Sequence, residues 1–314
     1  MPGSRRHLLP TIPVLGVMLA AALLPPASAA ARSSPRVSSP PVRSYEAPRA
    51  ATPPAVDGVL DDAAWRNAPW TEPFVDIRGE DWPEPALTTR AKVTWDERYL
   101  YVGAELEEPH LWATLADRDA IVYHEHDFEV FLDPDGDALA YYELEINALG
   151  TEFDLFLDRP YSRKGKANVG WDMQGLRTAV RLDGTLNDPS DEDAGWSVEI
   201  AIPWSALRPP GAPPEAAARP PRAGDTWRVN FSRVQWPLEI VDGEYRKERE
   251  PRDWSDHPEA NWVWSPQGEI DMHIPEMWGA VRFVDSSEPG SGAASGTSAR
   301  PRAGATLARE GTSR

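Results

Sequence analysis

Apolar side chains recur at every second position through much of this chain, a period that suits an extended strand with one buried face and does not suit a helix. Ala91, Val93 and Trp95 share one face of a strand, and Leu100, Val102, Ala104 and Leu106 share one face of the next. Asp96-Glu97-Arg98 separates them, so the pair is predicted to form a β-hairpin. Phe128, Val130 and Leu132 repeat the pattern before the turn-forming run Asp133-Pro134-Asp135-Gly136-Asp137, and Tyr142, Leu144 and Ile146 run back. Further strands are predicted at Glu152–Leu157, Leu176–Leu182, Trp196–Ile202, Trp227–Gln235 and Ala280–Val284. Helical pattern is confined to a turn at Asp61–Arg66 and another at Trp204–Leu207. Many short strands separated by turns predict an all-β chain: an antiparallel, jelly-roll-like β-sandwich with one or two short helices.

The ends do not share this pattern. Arg5-Arg6, an apolar run from Leu8 to Leu24 and the small residues Ala27-Ser28-Ala29 are expected to form an export signal at residues 1–29, by the Sec or the twin-arginine route. The apolar run is interrupted by Pro10 and Pro13 and is shorter than the roughly 20 residues a membrane-spanning helix needs. No membrane anchor is therefore expected after cleavage, and the mature protein is expected to be secreted or periplasmic. Residues 30–44 and the Gly/Ser/Ala/Arg-rich tail at 286–314 are too poor in apolar side chains to offset the entropy of ordering them. The foldable part is thus residues 45–285. Within it, Arg208–Arg222 carries six prolines and reads as a surface excursion.

The 314-residue chain has a formal charge of −18, and the arginines at its two ends leave the middle more acidic still. That field repels phosphate backbones, so no nucleic-acid partner is expected; neutral or cationic ligands suit it better. The absence of cysteine excludes disulfides, thiolate nucleophiles and Cys-based zinc sites. The 14 tryptophans all fall between Trp65 and Trp278, more than packing alone calls for, and exposed aromatic faces are a usual means of gripping a sugar ring.

Five segments in order resemble carbohydrate-binding module family 9, a β-sandwich within the DOMON-like group. They are Val56-Asp57-Gly58-Val59-Leu60-Asp61-Asp62-Ala63-Ala64-Trp65, Val93-Thr94-Trp95-Asp96-Glu97 leading to Leu100-Tyr101-Val102, Phe128-Glu129-Val130-Phe131-Leu132-Asp133, Trp196 to Trp204, and Trp278-Gly279. The resemblance spans about Ala47 to Asp285. It implies two aromatic platforms that sandwich a terminal sugar, with polar side chains holding its hydroxyls. The first platform falls on Tyr123, six residues before Glu129, and Tyr123 either stacks on a sugar or caps the core. The second falls on Met272, which cannot stack as an indole does. Trp264 is the first-choice substitute, ahead of Trp262, Trp254 and Trp278. Glu129 matches a sugar-contacting glutamate and Asn147 an asparagine, whereas Glu145 stands where the family has arginine, so the ligand is expected to differ. Strand alternation would place Tyr123, Glu125, Asp127 and Glu129 on one side, and Arg233 and Gln235 are further candidates.

Asp133, Asp135 and Asp137 put three carboxylates at alternate positions in a Gly-containing turn, a hard-oxygen set that suits calcium; the resemblance implies a structural role for such an ion. A solvated hairpin tip reads equally well. His124-Glu125-His126-Asp127 offers only two histidines and is read as surface. The chain lacks the nucleophile elbow, His-Glu-x-x-His and phosphate-loop motifs. The leading reading is an exported, non-catalytic protein that binds plant-type polysaccharide ends or oligosaccharides in polysaccharide degradation, beside a glycoside hydrolase partner. The alternatives are a haem-binding electron-transfer domain ligated through Met272, His273, His257 or Met277, and a β-sandwich glycoside hydrolase.

Overall fold

The computed structural model describes residues 39–285, Trp254 excepted; the expected signal, most of the expected linker and the tail lie outside the described residues. In chain order the strands are β1 (Ser44–Pro48), β2 (Val75–Asp76), β3 (Thr89–Trp95), β4 (Tyr99–Glu107) and β5 (Asp127–Asp133). They continue with β6 (Tyr141–Asn147), β7 (Glu152–Leu157), β8 (Ala167–Asn168), β9 (Arg177–Asp183) and β10 (Gly195–Pro203). The last are β11 (Thr226–Gln235), β12 (Leu238–Val241), β13 (Glu244–Lys247), β14 (Ala260–Val263) and β15 (Gly279–Val284). The single α-helical turn, α1, spans Ala63–Asn67, and short 3₁₀ turns include Val122–His124, Tyr161–Arg163 and Trp204–Ala206.

Two sheets carry the sandwich. The larger runs β1-β15-β11-β5-β6-β7-β8, and the smaller runs β3-β4-β10-β9. Pairing is antiparallel except for β1 beside β15. The long strand β11 pairs β5 along one edge and two strands along the other, β15 through Thr226–Val229 and β14 through Ser232–Gln235. The predicted turn between β3 and β4 forms because Asp96 Oδ1 accepts the backbone N–H of Arg98 at 2.6 Å and of Tyr99 at 2.9 Å.

Alternation sorts the larger sheet into two unlike faces. Phe128, Val130 and Leu132 of β5 and Leu144 and Ile146 of β6 point inward, where they meet Val93, Val102, Val198 and Ile200 of the smaller sheet. Their neighbours point outward. There Phe131, Tyr141, Phe153 and Leu155 form a second, smaller core under the loop that contains Met272 and Trp278. That outer layer, roofed by a loop, is where a ligand cavity can form beside buried polar groups.

The family-like entry segment is held by a carboxylate. Glu199 Oε2 accepts the N–H groups of Asp57 and Gly58, each at 2.7 Å, and Oε1 accepts the indole N–H of Trp65, which is fully buried. Gly58 has φ +88°, and a Cβ there would lie 2.9 Å from backbone atoms of Val180 and Arg181, so the turn requires glycine. Removing Glu199 strands three donors, and Glu199→Ala is expected to cost roughly 2–4 kcal/mol of unfolding free energy. Glu199→Gln, which keeps one acceptor oxygen, should cost less. Denaturant midpoints of the three proteins check this; a Glu199→Ala loss no larger than that of an ordinary surface substitution, about 0.5 kcal/mol, would contradict it.

Candidate functional site

The outward faces of β5 and β6 bring acidic side chains together. Glu129 and Glu145 are directly opposite in the strand register, Glu143 lies two residues before Glu145 on β6, and Asp127 lies two before Glu129 on β5. All four are buried, at 0–5 % exposure. Glu129, Glu143 and Glu145 line a cavity of about 360 Å³ whose other walls include Phe131, Leu155 and Met272. Tyr123 and Tyr161 also line it and stand at its mouth, 43 % and 47 % exposed.

Local backbone geometry places both rings. Tyr123 sits in the 3₁₀ turn Val122–His124, not on a strand; its N–H donates to Glu145 Oε2 at 2.9 Å and its carbonyl accepts the Trp236 indole N–H at 3.0 Å. Glu145 therefore both floors the cavity and holds its rim. Tyr161 opens a second 3₁₀ turn, closed by Lys164 in the left-handed region at φ +65° and by Gly165, whose N–H donates to the Pro160 carbonyl at 3.0 Å. A Cβ on Gly165 would collide with the carbonyl of Arg159.

The carboxyls face one another with little compensation. Asp127 Oδ1 accepts the Val234 N–H at 3.1 Å, but Asp127 Oδ2 and Glu143 Oε2 have no hydrogen-bond partner among the described residues. Burial, reinforced by the charge of Glu129, pushes Asp127, Glu143 and Glu145 well above the ordinary carboxyl range. Burial pushes Glu129 up to about 7. His273 donates or accepts at Tyr141 Oη, 3.0 Å from its Nδ1, and its Nε2 lies 3.9 Å from Glu143. Burial lowers His273 to about 4, so it brings no positive charge at neutral pH.

Of the residues singled out in the sequence, Tyr123, Glu129 and Glu145 meet in this cavity, and Met272 lines it. Trp264 does not: it is fully buried in the main core against Tyr45 and Phe231, with its indole N–H on Glu72 at 3.2 Å. Trp278 packs in the outer core against Tyr141, and Trp254 lies outside the described residues. Asn147 is also displaced from the expected role, because the strand ends there. Its amide donates to the Leu115 carbonyl at 2.8 Å, and its oxygen accepts the N–H groups of Leu149 and Thr151 at 3.0 Å each, closing the β6–β7 turn.

The expected run of Tyr123, Glu125, Asp127 and Glu129 along one strand face is broken by the 3₁₀ turn. Glu125 instead turns to the N–H groups of Thr114 and Leu115. His126 is buried, 3.1 Å from Glu108, contrary to the surface reading. Arg233 is spent on Glu108 at 2.9 Å and Gln235 at 2.8 Å inside the protein, away from the cavity wall. Sequence reasoning missed Glu143, although it sits two residues before Glu145 in the same alternation, and missed Tyr161, which lies outside any periodic segment.

Two further oxygen sets deserve comparison. One oxygen each from Asp133, Asp135 and Asp137 lies within 4.8 Å of the others, and the same holds for Asp127, Glu129 and Glu145. In the first set Asp133 already accepts the Gly136 and Ala138 N–H groups, at 3.0 and 2.9 Å, so the turn closes on its own. Burial nonetheless raises Asp133 to about 6, with Asp135 adding to the effect.

The sequence model of the family described as carbohydrate family 9 binding domain-like matches residues 56–263. Over 155 residues the chain is 28% identical to exoglucanase XynX of Acetivibrio thermocellus, and over 157 residues 29% identical to endo-1,4-beta-xylanase A of Thermoanaerobacterium saccharolyticum. These matches take in 49% and 50% of this chain but 12% and 11% of the two enzymes, so only a small part of each relative is shared. In structure the chain is similar to a putative carbohydrate-binding protein from Bacteroides uniformis, with a TM-score of 0.55 and 16% identity over 77% of this chain and 100% of that one. It is also similar to a carbohydrate binding module family 9 from Caldicellulosiruptor kristjanssonii in complex with glucose, with a TM-score of 0.50 and 18% identity over 79% and 100% of the two chains. At these identities the likeness bears on the fold.

The raised carboxyls make stability depend on pH with a defined sign. Below the unfolded value, 4.5 for a glutamate, the groups are neutral in both states. As pH rises through that value the unfolded chain ionises while the folded cluster still holds protons, so stability is lost until the folded values, about 7 for Glu129, are passed. With chelator present, the denaturant midpoint is expected to fall between about pH 5 and about pH 8, and Glu129→Gln should reduce the fall. Equal slopes for the two proteins would contradict this.

Proposed function

We propose, because this chain belongs to the carbohydrate family 9 binding domain-like family, that the cavity on β5 and β6 holds a sugar unit of a polysaccharide end or an oligosaccharide. The observation that carries this reading is the pairing of two exposed tyrosine rings at the mouth with polar, buried carboxyls on the floor. The C–H faces of a pyranose pack on aromatic planes, and its hydroxyls need hydrogen-bond partners out of water's reach. Tyr123 and Tyr161 fill the first role and Glu129, Glu143 and Glu145 the second.

The role is holding and not cleaving. Glycoside hydrolysis requires carboxyls on both sides of the scissile bond. Glu129 and Glu145 are cross-strand neighbours that project from one face of one sheet, so they reach a bound ring from the same side, and of the other lining acids Glu259 is paired with His257 and Asp271 accepts the His273 backbone N–H. A haem is disfavoured because its propionates would meet carboxyls and because His273 is engaged with Tyr141. The protein is proposed to act after export, outside the cytoplasm, on plant-type polysaccharide, beside a hydrolase that supplies or uses the same chains. Calcium is proposed for Asp133, Asp135 and Asp137, where it would relieve the raised Asp133 and brace the β5–β6 turn next to the cavity.

Glycan-array screening of the protein, followed by titration calorimetry with the best ligand, tests the sugar reading. Tyr123→Ala and Tyr161→Ala are each expected to weaken binding by about tenfold or more while the fold stays intact, since both rings are exposed. Parent-like affinity in both variants, or no glycan bound by the parent, would refute it. On the same preparations, chelator should lower the melting temperature of the parent and not of Asp135→Ala; no chelator effect would remove calcium.

A further inference from the structure

The floor of the cavity is a cluster of carboxyl groups without a matching cation. Glu129, Glu143, Glu145, Glu259 and Asp271 line the cavity, and Asp127 lies beside Glu129 and Glu145. No lysine or arginine lines it among the described residues. Its two histidines are already bonded: His257 Nδ1 is 2.9 Å from Glu259, also in the lining, and His273 Nδ1 is 3.0 Å from Tyr141 Oη. Glu143, 5 % exposed and adjacent to the converging group, has an Oε2 that is sealed from solvent and without a hydrogen-bond partner among the described residues. Buried carboxylates are ordinarily paired, so a positive ligand is the missing partner.

We propose that the cavity takes a cationic sugar, a hexose unit with a free primary amine, whose ammonium group is held by Glu129 and Glu145, with the carboxyl of Asp127 directly behind them. The inference rests on the sugar-binding reading and names its substrate class. An alkylammonium carries three N–H donors, and three carboxyl groups each present an oxygen within 4.8 Å of the other two. Glu143, beside them in the same cavity, adds to the attraction for the ammonium group. The ring lies between this floor and the tyrosines, whose faces also favour a cation. The net charge of −18 draws the same kind of ligand from solution.

A divalent metal ion would suit the three oxygens alone, but it fits the rest of the cavity poorly. Calcium takes six to eight oxygens. Here the three converging carboxyls project from β5 and β6 alone, while Ile77, Phe131, Phe153, Leu155 and Met272 supply apolar surface that a bare ion would leave facing water. An amino sugar satisfies the charge and covers that surface together.

Titration calorimetry of the whole protein in chelator-containing buffer near neutral pH decides the matter, with glucosamine and its β-1,4-linked oligomers compared with glucose, cello-oligomers and N-acetylglucosamine. The amine-bearing ligands are expected to bind about tenfold or more tighter than the neutral ones, the scale of a charge-assisted contact. In Glu145→Gln, and in Glu143→Gln, which loses no bond of the fold, the preference should shrink while near-ultraviolet circular dichroism stays unchanged. Equal affinity for amine-bearing and neutral sugars overturns this inference and leaves the sugar-binding reading standing. Binding of no sugar at all overturns both. Saturable binding of calcium or manganese in a parallel chelator-free titration, lost in Glu129→Gln and without any amine preference in the sugar titrations, overturns it in favour of a metal site.

Discussion

Glu129 stands directly across from Glu145 on adjacent strands, a like-charge pair in the one register the sandwich allows. Cross-strand pairs of like charge are destabilising. Sliding β5 by one residue would separate them, but it would also turn Phe128, Val130 and Leu132 out of the core and put Glu129 in it. Each of those buried side chains contributes about 1.5–3 kcal/mol, and Leu144 and Ile146 opposite add as much each. A carboxyl held one pH unit above its ordinary value costs about 1.4 kcal/mol. The core wins, and the outer face inherits an acidic cluster that only a ligand or bound protons can relieve.

The surrounding polar groups are joints that keep this face in place. Glu199 ties the entry turn and Trp65 to β10, Glu125 ties the Thr114 segment to the start of β5, and Asn147 closes the end of β6. Arg233 of β11 and Glu108, just past the end of β4, form a buried ion pair between the two sheets. Such pairs add little net stability against an apolar alternative, but losing one partner is costly, so they constrain how the loops roofing the cavity can sit. The carboxylates engaged in these joints accept backbone or side-chain donors. Those of the cavity largely do not, and that contrast separates scaffold from site.

Much of the fold was legible because a period of two is a strong signal wherever one face is buried: the β3–β4 hairpin and the β5–β6 pair follow from it, as do the ends of β10 and β11 within a residue or two. Tyr123, Glu129 and Glu145 were legible only through the family resemblance, which falls on them residue by residue. The failures have physical causes. A tryptophan serves a core as well as a platform, and nothing local told Trp264, packed on Phe231, from an exposed ring. Asn147 shares the outward parity of Glu145, yet at a strand end its short amide is captured by the turn. Tyr161 reaches the cavity only through the tertiary path of the chain after β7, for which no local pattern exists. Glu143 could be seen on the right face, but not that a distant loop buries it.

A crystal structure of the protein with a glucosamine-ended β-1,4 disaccharide tests the central claim most directly. The expected result is a terminal ring in the β5–β6 cavity against Tyr123 and Tyr161, with its amine nitrogen about 2.7–2.9 Å from carboxyl oxygens of Glu129 and Glu145. A disaccharide bound elsewhere on the sandwich, with the cavity holding only water or a metal ion, would contradict it.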